Sequence, residues 1–121
     1  MAEQESVRQI AQRMLADLER LEAQQAAWWA TVDRGSYLEE QEEPLWAYLE
    51  SCLDVVRIET VRGDRRELRG WELLLCAGGP SAGLELDADG RARVWAAWWS
   101  APEYVTGELR WLAQQLEELA L

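Results

Sequence analysis

The stretch from Gly70 to Trp99, GWELLLCAGGPSAGLELDADGRARVWAAWW, constrains the fold most, because it holds three strand candidates joined by two tight-turn signals. The apolar run Leu73-Leu74-Leu75-Cys76 stops at Gly78-Gly79-Pro80-Ser81, and Asp89-Gly90 separates the next two short segments. Brief apolar runs bounded by Gly, Pro and Asp read as strands of an antiparallel sheet, since those residues supply the backbone turns that fold the chain back on itself. The stretch contains no histidine, no lysine and no ligand cluster. It suits a scaffold that presents a surface better than one that performs a reaction.

Around this centre the chain divides by pattern. Between about Glu3 and Val32, the residues Val7, Ile10, Met14, Leu18, Leu21, Trp28 and Val32 recur at steps of three, four and seven, the stripe of a long amphipathic helix. That stripe fits core packing or a seam with a second copy. Asp33 to Tyr37 reads as a loop with Gly35 as a left-handed cap, and Pro44 suits the first turn of a second helix with Leu45, Trp46, Leu49, Cys52 and Leu53 on one face. Val55 to Val61 alternates as a strand, and Arg62-Gly63-Asp64 reads as a hairpin turn rather than an integrin-binding motif. Leu68 to Ala77, with its continuous apolar run, reads as a central strand covered on both faces. Ala82 to Asp87 and Ala92 to Trp99 complete the set, joined by a type I′ turn at Asp89-Gly90. Ser100-Ala101-Pro102-Glu103 reads as a capping box opening a last helix along Val105, Leu109, Leu112, Leu116 and Leu119, weakened by Gly107.

The expected fold is therefore α+β in the order α-α-β-β-β-β-α: a four-stranded antiparallel β-meander with two N-terminal helices and one C-terminal helix on one face. At 121 residues the chain reads as one domain over 1–121, with an acidic helical part over 1–54, the meander over 55–99 and the helix over 100–121.

Charge narrows the function. The net charge is −11, and residues 1–54 carry twelve acids against four Arg while residues 55–121 carry eleven against eight. Direct binding to nucleic acid is not expected of such a chain, because affinity for phosphates comes from positive charge. A basic protein surface would attract it. No apolar run is long enough for a membrane span and no signal peptide is visible, so a cytoplasmic location is expected.

Composition also limits the chemistry. All twelve basic residues are Arg, and there is no His or Lys, which removes Ser–His and Cys–His pairs and lysine Schiff bases. No enzymatic activity, cofactor or metal is expected. Cys52 and Cys76 lack CxxC spacing and read as buried, reduced thiols, with a disulfide or a metal site as the alternative.

Two groups of residues are candidates for partner contact. Glu39, Glu40, Glu42 and Glu43 either serve the dipole of the second helix or, with Glu50 and Asp54, form an acidic patch that faces a basic partner. Trp98 and Trp99, as neighbours on a strand, are expected to point to opposite faces, one into the core and one outward. An outward indole would suit a protein contact, including a homodimer.

Three motifs carry a resemblance over about residues 55–104: LLLCAGGP at 73–80, DADG at 87–90 and WWSAP at 98–102. This part of the chain resembles a family of small proteins carried by phages, prophages and plasmids, although Trp98 stands where that pattern has an acidic residue. Such proteins are similar to ones with anti-defence functions, including inhibitors of CRISPR–Cas systems. The resemblance implies a non-enzymatic inhibitor of a host nucleic-acid-handling defence complex, with a CRISPR–Cas effector as its partner. A structural or regulatory homo-oligomer built on exposed Trp is the alternative.

Overall fold

In a computed structural model, which describes residues 6–33, 43–99 and 101–121, the elements run α1 (Val7–Asp33), α2 (Pro44–Ser51), β1 (Asp54–Arg62), β2 (Arg65–Cys76), β3 (Ser81–Asp87), β4 (Arg91–Ala97), β5 (Glu103–Glu108) and α3 (Arg110–Glu118). The strands form one antiparallel sheet in the order β1-β2-β3-β4-β5. The chain is α+β, as expected, with five strands rather than four.

The extra strand comes from the segment expected to open the last helix. Ser100 lies outside the described residues, and Glu103–Glu108 pairs with β4 from Ala96↔Glu103 to Arg91↔Glu108. Val105 precedes Leu109 by four positions and so imitates a helical stripe. Yet Tyr104, Val105 and Thr106 are strand formers, and the free edge of β4 offers them a ladder. Gly107 sits in β5 beneath α1, where a Cβ would stand 3.0 Å from the methyl groups of Leu15.

The first helix begins at a reciprocal cap. Ser6 Oγ accepts from the Gln9 N–H at 3.2 Å, and Gln9 Oε1 accepts from the Ser6 N–H at 2.9 Å. The buried stripe is Ile10, Ala11, Leu15, Leu18, Leu21 and Gln25, so Trp28 and Val32 only flank the core. Gln25 ties the helices together: its Oε1 accepts from the Leu45 N–H at 3.0 Å and its Nε2 donates to Glu43 Oε1 at 2.5 Å. Replacing Gln25 by Ala would orphan a buried donor at the start of α2 and is expected to cost about 1–3 kcal/mol. Urea unfolding followed by circular dichroism measures this, and an unchanged midpoint would contradict the tether.

The turns are locally determined. At Arg62-Gly63-Asp64-Arg65 only Gly63 has positive φ, 62°, the pattern of a type II′ hairpin turn. The Asp89-Gly90 turn is not type I′, because Gly90 has φ 94° while Asp89 does not have positive φ. Asp87 Oδ1 instead accepts from the N–H groups of Asp89 and Arg91, both at 2.9 Å, and holds a longer connection closed.

The core lies on one face of the sheet. Trp71, Leu73, Leu84, Leu86, Ala92, Val94 and Ala96 from the strands join Leu109, Leu112, Ala113 and Leu116 from the α3 region and the stripe of α1. The Trp71 N–H donates to the backbone oxygen of Leu121 at 2.6 Å, and Arg57 Nη1 reaches the same oxygen at 2.9 Å, so the end of α3 is pinned over β1 and β2. Of the run Leu73–Cys76 only Leu73 is buried, and Leu74, Leu75 and Cys76 are half-buried. Among the described residues the expected cover on both faces is therefore absent.

Candidate functional site

With α1 and α3 on one face, the described residues leave the other face of the sheet uncovered. Alternation decides which side chains it carries. Register places them in rows across the strands: Ile58, Gly70 and Asp87; Val56, Glu72, Glu85, Arg93 and Thr106; Asp54, Leu74, Gly83, Trp95 and Tyr104. Val56, Ile58 and Tyr104 are each about two-fifths exposed, at 41%, 38% and 38%, which marks the face as solvent-facing rather than packed.

Two hollows lie along it. The larger, of about 670 Å³, runs past Ile58, Gly70, Glu72, Asp87, Arg91 and Glu108. The smaller, of about 360 Å³, is bounded by Asp54, Val56, Glu72, Leu74, Trp95 and Tyr104. Together they are lined by the carboxylates of Asp54, Glu72, Glu85, Asp87 and Glu108 against the guanidiniums of Arg69, Arg91 and Arg93, five acids to three bases. The face has an acidic surplus.

Its geometry is specific. Arg93 lies with its Cζ 4.1 Å from the centre of the Tyr104 ring, and its Nε is 3.5 Å from Glu85 Oε2. Glu72 stands directly across from Glu85 on the neighbouring strand, and among the described residues its carboxylate has no ion pair or hydrogen bond. Gly83 leaves room for the Trp95 indole: a Cβ there would stand 2.7 Å from Trp95 Nε1 and 2.8 Å from the Leu73 carbonyl oxygen. The Trp95 indole therefore packs over Gly83 of β3.

The residues expected to contact a partner are dispersed. Glu39, Glu40 and Glu42 lie outside the described residues. Glu43 is half-buried and held by Gln25, so it works as a tether between α1 and α2. Glu50 is exposed on α2, while Asp54 opens β1 on the uncovered face. Trp98 and Trp99 do not divide between core and solvent, because β4 ends at Ala97 and both follow it, 39% and 87% exposed, near Gly79 of the β2–β3 turn. Sequence reasoning missed Glu72, Glu85, Arg93, Trp95 and Tyr104, although alternation along 91–97 was a usable signal for Arg93 and Trp95.

Among the described residues no group of three or more Cys, Asp or Glu is placed to hold a metal ion. Both cysteines are free thiols. Burial pushes the Cys52 thiol up to about 11, and its Sγ donates to the Tyr48 carbonyl oxygen at 3.4 Å. Burial, and to a lesser degree Cys52, also raises the Tyr48 phenol above its usual value. The thiolate is the reactive form. In a Cys76→Ser background, alkylation by iodoacetamide at pH 8 is expected to be at least tenfold slower in native protein than in urea, on the order of the lost thiolate fraction. Equal rates would contradict the shift.

Among the described residues no helix is long and apolar enough to cross a membrane. Comparison with known proteins finds no family model, no curated protein and no solved structure that matches the chain.

Proposed function

We propose that this chain is a non-enzymatic binding protein that inhibits a host nucleic-acid-handling defence complex, a CRISPR–Cas effector, by occupying a positively charged surface with the uncovered face of its sheet. The observation that carries this is the combination on one open face of an acidic surplus, aromatic rings and the aliphatic side chains of Val56, Ile58 and Leu74. Acidic groups give long-range attraction to a basic partner, and desolvated rings and aliphatic groups give the short-range contact. Asp54 lies on this face, and the exposed Trp98 and Trp99 follow β4 beside the β2–β3 turn. Glu50 adds to the negative field from α2.

The test is phage restriction in bacterial strains that each carry one CRISPR–Cas type, with and without the protein. Restored plaque formation in at least one strain is expected, and full restriction in every strain would sink the proposal. With the affected effector purified, affinity should fall as salt rises from 0.05 to 0.5 M, since the screening length shortens from about 14 Å to about 4 Å. Salt-independent binding would remove the electrostatic part.

A second possibility rests on one specific observation, the 87% exposure of Trp99 with Trp98 beside it. Exposed indoles suit a homodimer contact. Light scattering at tens of micromolar distinguishes the two: a dimer that Trp99→Ala converts to monomer supports the homo-oligomer, and a monomer rules it out.

A further inference from the structure

We propose that the smaller hollow on the open face is an arginine-binding subsite, which takes a guanidinium of the basic partner against the Trp95 indole and the Glu72 carboxylate. The inference deepens the proposed function and rests on it for the identity of the partner. Glu72 and Glu85 face each other across β2 and β3, and like charges directly opposite each other destabilise a sheet. Arg93 compensates only Glu85. The second carboxylate is left for a cation from outside.

The face already displays the chemistry on itself. Arg93 holds its guanidinium over the Tyr104 ring while its Nε approaches a carboxylate. One strand across the sheet the components recur: Trp95 on β4 beside Tyr104 on β5, and Glu72 on β2 beside Glu85 on β3, around a hollow of about 360 Å³ that Asp54 also lines. The Trp95 indole packs against Gly83, which holds the ring, and among the described residues no hydrogen bond engages its ring N–H. A planar guanidinium can stack on a fixed indole and pair with a carboxylate at once, whereas the compact ammonium of Lys has no plane to stack. The site therefore favours Arg over Lys.

The probe is the acetylated, amidated peptide Gly-Arg-Gly-Arg-Gly and its Lys counterpart, each titrated into 15N-labelled protein while the indole N–H signals are followed. The Trp95 signal is identified by its loss in Trp95→Phe. The Arg peptide is expected to move that signal saturably and to bind more tightly than the Lys peptide. Glu72→Gln, an exposed change checked for folding by circular dichroism, should weaken binding by about two- to fivefold, the scale of one exposed ion pair. Equal responses to both peptides, a response unchanged by Glu72→Gln, or movement confined to other indoles would overturn the subsite. In the phage assay, Glu72→Arg should abolish inhibition. Inhibition retained by Glu72→Arg would reject the subsite and leave the proposed function standing. Arg-selective binding without inhibition in any strain would do the reverse.

Discussion

Trp71→Ala is expected to lower the free energy of unfolding by about 3–5 kcal/mol, the cost of emptying a large aromatic site in a packed core. Trp71 is 1% exposed and is the largest side chain in the core. Its ring packs on the covered face of β2, and its ring N–H fixes the backbone oxygen of Leu121, three residues beyond α3. Truncation would thus both open a cavity and release the end of the helix. Urea unfolding followed by far-ultraviolet circular dichroism measures the loss. Trp71→Phe keeps most of the apolar volume and removes the hydrogen bond, so it should cost considerably less. A loss under about 1 kcal/mol for the alanine variant would contradict the placement of Trp71 in the core.

Gly83→Ala is the second change with a large expected effect. The new Cβ would stand 2.8 Å from the Leu73 carbonyl oxygen on β2 and 2.7 Å from Trp95 Nε1 on β4. The backbone oxygen cannot turn aside, so β3 must shift or the indole must lift off the sheet. A cost of about 1–3 kcal/mol is expected, as for overpacking in a filled interior. Because Trp95 forms the wall of the proposed arginine subsite, the variant should also lose the selective response of the Trp95 indole signal to the Arg peptide. Gly107→Ala provides the contrast. Its Cβ would meet only the methyl ends of Leu15, at 3.0 Å, and these can rotate away. That variant should cost less than about 1 kcal/mol. Equal destabilisation by the two alanines would contradict the close approach of β2 and β4 at Gly83.

The meander could be read from the chain because its information is local. Short strand segments end at Gly63, at Gly78-Gly79 and at Gly90, and neighbouring antiparallel strands need no more than tight turns between them. The first helix was equally legible from its period, although Trp28 and Val32 continued the apparent stripe beyond the core. The segment 103–108 was misread because Pro102 and Glu103 look like a helix start and Val105 falls in step with Leu109. Its state depends on β4 offering a free edge, which a local pattern does not contain.

The candidate site was legible only in fragments. Asp54, Trp98 and Trp99 were marked by charge and by aromatic pairing, but Glu72, Glu85, Trp95 and Tyr104 come from four separate stretches of chain and meet only through register. Glu43 looked like one of four free acids, and its bond to Gln25 exists only because α2 folds back against α1. What the sequence alone determined is the set of elements with short-range causes: the helical stripe of α1, the strands β1 to β4, the places where the chain turns between them and the overall negative charge. Tertiary structure decided the rest. By packing α1 and α3 on the same face, it buried Trp71, Leu73, Leu84 and Val94 and left Glu72 and Arg93 exposed and Trp95 half-buried on the other, because a sheet's two faces become different only when something covers one of them.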